Sequence, residues 1–211
     1  MSNVLIINAS ARKERSLSRH LSEVFTKEWK ERHPEDHIVY RNIGQENIPH
    51  VTEKWIAAAF KPAGLRTDED IETLQVSNQL VAELKNADVI VLGAPMYNWS
   101  VPSVLKAYID QVVRVNETVL VNKNKPENPY TGLLINKKAY LLMVRGNAGY
   151  DPGEFYEHMD FQTTYLKTVL SIMGIKNINC MTLNGVDFEG SSLEAANKKI
   201  KTMILNENTI A

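Results

Sequence analysis

Long apolar runs, cysteine pairs and net charge are all scarce in this chain, and each scarcity excludes something. No apolar run approaches the roughly 20 residues that a membrane-spanning helix needs. Met1-Ser2-Asn3 leads straight into Val4-Leu5-Ile6-Ile7 with no basic stretch or small-residue cleavage site, so a cytoplasmic protein with no membrane partner is expected. Cys180 stands alone and cannot form an internal disulfide. Its neighbours Ile178, Met181 and Leu183 make it read as a small buried hydrophobe. Lys and Arg total 24 against 25 Asp and Glu, a formal net charge of -1, so no global positive field gathers phosphates and no nucleic-acid partner is expected. His33 and His37 flank Pro34 in a turn and read as exposed, while His20, His50 and His158 show no ligand-like spacing, so no metal site is expected. Ser10 has no His and Asp partners in the order that a hydrolase triad requires, and Asp187 and Glu189 near the last loop read as facing solvent.

What is present is ordinary globular composition: 44% hydrophobic and 23% charged over 211 residues, without internal repeats or low-complexity segments. One domain spanning residues 1–211 is expected. Val4–Ile7, His37–Tyr40, Val89–Gly93, Ala139–Val144 and Ile178–Leu183 are short runs rich in β-branched and other apolar residues, and read as strands. Helical stripes alternate with them. Leu21, Val24, Phe25 and Trp29 share one face after Ser18, with Glu28 falling on that face as an exception. Further helices are predicted over 52–60, from Asp68 to Asn86, from Pro102 through Val112, from Phe155 to Met173 and from Leu193 to Leu205. Asn122 to Asn136 has no periodicity and reads as a long loop.

Five apolar strands alternating with helices predict an α/β, doubly wound parallel sheet in three layers, α/β/α, with strand order 2-1-3-4-5. Ligands of such sheets bind beyond the carboxyl ends of the strands. Three loops are thereby brought to one edge: Ser10–Ser18, Pro95–Val101 and Arg145–Gly153. The first offers hydroxyls at a helix N-terminus, a setting for a phosphate monoester. It contains no glycine, so the GxGxxG dinucleotide turn and the triphosphate P-loop are both missing, and a permanently bound nicotinamide dinucleotide or ATP is not expected. The second, Ala94-Pro95-Met96-Tyr97-Asn98-Trp99-Ser100, gathers a thioether, two aromatic rings and an amide, the mixture that stacks a flat heteroaromatic ligand.

These residues carry a resemblance. The opening strand with Ser10, Ser16 and Ser18 in a Ser-x-Ser pattern, Ala94-Pro95-Met96-Tyr97-Asn98, Leu105-Lys106, Asn136-Lys137-Lys138-Ala139 and Arg145-Gly146 resemble the FMN-dependent NADH azoreductases, also described as NADH:quinone oxidoreductases, of the flavodoxin-like fold. The resemblance implies that Ser10, Ser16, Leu17 and Ser18 hold the FMN phosphate. It implies that Pro95, Met96, Tyr97, Asn98 and Trp99 border the ring and that Val144, Arg145, Gly146 and Asn147 close its other side. It further implies electron transfer from NADH or NADPH to quinones and azo compounds by a ping-pong route, and a homodimer with the flavin near the interface. No side chain is expected to be a catalytic acid or base, since the flavin carries the chemistry.

Departures from the family pattern fall at Val144 and Asn147, where members commonly carry Ser and Gly, at Leu17, where a polar residue is usual, and at Val121, where some members have an aromatic. Two alternatives stand beside this reading: a flavodoxin-type electron carrier without an organic substrate, and a hydrolase acting on a phosphopantetheine-like ester, as an acyl-carrier-protein phosphodiesterase does.

Overall fold

The computed structural model describes residues 1–187 and 192–206. In chain order its elements are β1 (Asn3–Asn8), α1 (Leu17–Arg32), β2 (His37–Arg41), α2 (Glu53–Phe60), α3 (Asp68–Thr73), α4 (Gln75–Asn86), β3 (Val89–Pro95), α5 (Ser103–Val112), β4 (Val119–Val121), β5 (Tyr130–Gly132), β6 (Lys138–Val144), α6 (Phe161–Ile172), β7 (Asn177–Leu183) and α7 (Leu193–Leu205). The main sheet runs β2-β1-β3-β6-β7, every neighbouring pair parallel, which is the predicted order.

Alternation along the strands divides the core in two. Leu5, Ile7, Ile90, Leu92, Leu141 and Met143 pack with α4, α5 and α6, whereas Val4, Ile6, Val91, Tyr140 and Leu142 pack with α1 and α7. Each such fully buried side chain contributes about 1.5–3 kcal/mol by leaving water. Tyr140 also meets the ring of Phe25, with centroids 4.8 Å apart. Glu28, the exception on the α1 stripe, is buried and paired with Lys201 of α7 at 2.8 Å, so its charge is matched rather than solvated.

Several sequence expectations need correction. The stretch from Asp68 to Asn86 is two helices, because Leu74 leaves helical geometry (φ -92°, ψ 0°) and is fully buried beside Trp55 and Ala58. The helix expected from Phe155 starts at Phe161, where Asp160 caps it by accepting hydrogen bonds from the Gln162 and Thr163 amides at 3.1 and 2.9 Å. The Asn122–Asn136 loop is mostly the turn of a hairpin: β5 lies within it and pairs antiparallel with β4, and strands of three residues are too short to show alternation. His33 is half-buried, its ring 4.6 Å from that of Trp29, while His37 is exposed. Cys180 is half-buried, and burial pushes its thiol pKa up, away from the reactive thiolate. Among the described residues no helix is long and apolar enough to cross a membrane.

Candidate active site

Parallel strands end together, so Asn8, Pro95, Val144 and Leu183 deliver their following loops to the same sheet edge. There they enclose a cleft of about 260 Å³ lined by Ser10, Arg12, Arg15, Ser16, Leu17, Ser18, Pro95, Met96, Tyr97, Val144, Gly146, Val186 and Asp187.

One wall is the start of α1. Ser16 is its N-cap, its Oγ accepting from the Arg19 amide at 3.2 Å and lying 3.3 Å from Ser18 Oγ. Ser10 Oγ accepts from the Arg12 amide at 3.2 Å, and all three hydroxyls are buried. By position the Leu17 and Ser18 amides have no acceptor inside the helix, and the first turn holds no acidic residue. Donors, helix dipole and the two arginines therefore all favour an anion here. The helix can sit this deep because β3 has glycine beneath it: a Cβ on Gly93 would lie 2.3 Å from Ser22 Oγ and 2.8 Å from the Ser18 carbonyl oxygen.

The opposite wall follows β3. The Met96 amide donates to the Val144 carbonyl at 2.7 Å, tying this loop to the end of β6. Tyr97 and Ser100 exchange two backbone hydrogen bonds, at 3.0 and 3.1 Å, around a two-residue turn. Both turn residues, Asn98 (φ 48°) and Trp99 (φ 65°), are left-handed. Asparagine tolerates that geometry, whereas a tryptophan there is strained. Tyr97, Asn98 and Trp99 are all exposed.

Of the residues expected at the site, Ser10, Ser16, Leu17, Ser18, Pro95, Met96, Tyr97, Val144 and Gly146 line the cleft. Asn98 and Trp99 form the adjoining turn outside the lining, and Asn147 is exposed, its Oδ1 accepting from the Ala148 amide at 2.8 Å. Arg145 departs most from expectation. Its buried guanidinium donates to Asp151, Asp160 and Thr163 at 3.1, 2.7 and 2.6 Å and stands 5.6 Å from the Tyr150 ring, so it braces the 151–163 segment and does not line the cleft. Val121 is exposed on the hairpin.

The sequence reading gave no role at the site to Arg12, Arg15, Val186 or Asp187, all of which line the cleft. The arginines lie in the serine loop itself, and a basic pair beside three hydroxyls was a signal. Val186 and Asp187 follow β7, whose end the same strand rule brings to this edge. Asp187 was expected merely to face solvent; it is exposed and also lines the cleft, its amide donating to the Gly146 carbonyl at 3.1 Å. Glu189, expected to do the same, lies outside the described residues. Among the described residues no cluster of His, Cys, Asp or Glu is placed to hold a metal ion.

Comparison with known proteins places this architecture. Residues 2–204 match a family model described as the flavodoxin-like fold. The FMN-dependent NADH:quinone oxidoreductase of Nostoc punctiforme is 43% identical over 209 residues, covering 97% of this chain and 98% of its own. The FMN-dependent NAD(P)H:quinone oxidoreductase 1 of Pseudomonas aeruginosa is 38% identical over 195 residues, 92% of each chain. The crystal structure of an azoreductase from Bacillus anthracis str. Sterne superposes with a TM-score of 0.78 at 28% identity, covering 98% of this chain and 96% of that one. Sequence and architecture agree, and the chain belongs to the flavodoxin-like family that includes the FMN-dependent NADH:quinone oxidoreductases.

Proposed function

We propose that the protein is an FMN-dependent oxidoreductase that passes electrons from NADH or NADPH to quinones and azo compounds. The observation that carries this reading is one cleft with an anion seat on one wall and Met96 and Tyr97 on the other, where the chain enters a strained turn that adjoins the cleft. The residues present fit FMN. Ser10, Ser16, Ser18 and the first amides of α1 would hold its phosphate, with Arg12 and Arg15 adding charge. Asp187, an acceptor, suits the hydroxyls of the ribityl chain. Met96 and Tyr97 would border the ring, with Asn98 and Trp99 on the turn beside it and Val144, Gly146 and Asn147 on the other side.

When bound, FMN supplies the redox chemistry, accepting a hydride from the nicotinamide and passing two electrons to the acceptor. The protein binds, orients and excludes water. Its seat spends buried hydroxyls and a helix terminus on the phosphate, leaving the turn to present Tyr97 and Trp99 where a flat donor or acceptor would stack. Among the described residues no side chain lining the cleft is a histidine or cysteine, and solvent can deliver the protons that a quinone takes up. Donor and acceptor use the same opening in turn, which makes the kinetics ping-pong. The working unit is a homodimer of single-domain chains with the flavin near the interface. Initial-rate plots with NADH and a benzoquinone test the scheme: parallel lines are expected, and intersecting lines would contradict a shared opening.

A further inference from the structure

Residues 42–45, just after β2, line no part of the cleft, yet they support the Ser10 turn from behind. Asn42 Oδ1 accepts from Asn8 Nδ2 at 3.0 Å and from Arg19 Nη1 at 2.7 Å, joining the end of β1 to the first turn of α1. Gln45 Nε2 donates to the Ala11 carbonyl at 3.1 Å. Between them, Ile43 is fully buried in the core cluster that holds Ile7 and Ala9, so the segment is anchored. Gly44 stands directly against the turn: a Cβ there would lie 2.0 Å from the Ser10 carbonyl oxygen and 2.5 Å from the Ser10 carbonyl carbon. Those atoms are backbone, and the strand next to them is tied down by the Ala9 amide donating to the Gly93 carbonyl at 2.9 Å.

We propose that Gly44 is a positioning residue for the anion seat, its bare backbone setting where the Ser10 peptide, and with it the Ser10 hydroxyl, stands in the cleft. The inference rests on the reading that this cleft holds the FMN phosphate. An alanine at 44 forces either the Ser10 peptide or the 42–45 segment to move by roughly 1 Å, because packed backbone has no slack to absorb the overlap. Ser16 and Ser18 belong to α1 and keep their places. The three hydroxyls then no longer converge on one anion, although none of them has been altered. A ligand that lacks the phosphate does not register the change.

The test titrates Gly44→Ala and Gln45→Ala with FMN and with riboflavin. Gln45 is exposed, so its truncation removes the bond to Ala11 without threatening the fold. Wild-type protein is expected to prefer FMN strongly; absence of that preference would sink the phosphate reading itself, visible before any variant is compared, and this inference with it. Gly44→Ala should lose about tenfold or more in FMN affinity while riboflavin changes by less than about twofold, and Gln45→Ala should lose about three- to tenfold for FMN alone. Equal losses for both flavins would mean a general loosening, and unchanged FMN affinity in the variants would mean that the segment is only a spacer; either result overturns the proposal. If Gly44→Ala does not fold, Gln45→Ala decides the question alone.

Discussion

Arg145 and Asp160 are joined at 2.7 Å beneath the cleft, a guanidinium of 1% side-chain exposure against a carboxylate of 12%. The same carboxylate caps α6, so one ion pair to a buried guanidinium fixes both the end of β6 and the start of the next helix. Removing Arg145 takes a charge-assisted partner from a half-buried carboxylate that keeps its two α6 amide bonds, and costs about 1.5–3 kcal/mol. Arg145→Gln should therefore lower the unfolding free energy by that amount in urea titrations, and Arg145→Met combined with Asp160→Asn should recover part of the loss. A single variant as stable as wild type would show that the pair is idle.

Ser16 and Ser18 are expected to act on the phosphate and not on the ring. Hydrogen bonds to a charged group contribute about 1.5–3 kcal/mol each, so the double substitution Ser16→Ala with Ser18→Ala should weaken FMN by roughly two to four powers of ten. Riboflavin affinity should fall little. Loss of the N-cap also destabilises α1 by about 1 kcal/mol, which a thermal melt measures separately. Equal losses for the two flavins would reduce these hydroxyls to capping groups.

Trp99 adopts φ 65° at the tip of its turn while remaining 48% exposed. Glycine accepts that conformation freely, so Trp99→Gly should stabilise the protein by about 1 kcal/mol. The same change should weaken FMN and riboflavin alike, since both carry the ring that the indole would cover. A variant that is more stable and binds both flavins as before would show that the strain serves no ligand.

Asp70 completes the capping box of α3, accepting from the Thr67 amide at 2.7 Å while also paired with Lys61. The Lys61 ammonium, followed by that amide bond, lowers its pKa from 3.8 to about 2. A carboxyl depressed on folding stabilises above its unfolded value, and the contribution disappears as pH falls through the folded value. The melting temperature of wild type should thus decline more steeply than that of Asp70→Asn between pH 4 and pH 2. Parallel declines would contradict the assignment.

Much of this architecture was legible because apolar runs and helical stripes are long-range signals written locally: Val89 to Leu92 reads as a buried strand, and the Leu21, Phe25, Trp29 stripe after Ser18 reads as a helix. The cleft followed from where parallel strands end. Arg145 was expected at the ring from the resemblance alone, whereas the period of two sets it apart from its neighbours: Val144 and Gly146 line the cleft, so the residue between them points to the other side. The break at Leu74 and the hairpin of β4 with β5 were hidden because tertiary contact, not local pattern, decides them. Gly44 was invisible for a different reason. Its effect is a backbone contact with Ser10, 34 residues away, and no spacing rule encodes that.

The central claim is that this cleft holds FMN and passes electrons from a nicotinamide donor to a quinone. It is tested most directly by the absorption spectrum of the chain after incubation with FMN and desalting, followed through anaerobic addition of NADH and then of a benzoquinone. The expected result is a retained flavin band equal to one FMN per chain, bleached by NADH and restored by the quinone. A desalted protein without the band, or a band that NADH leaves unchanged, would contradict it.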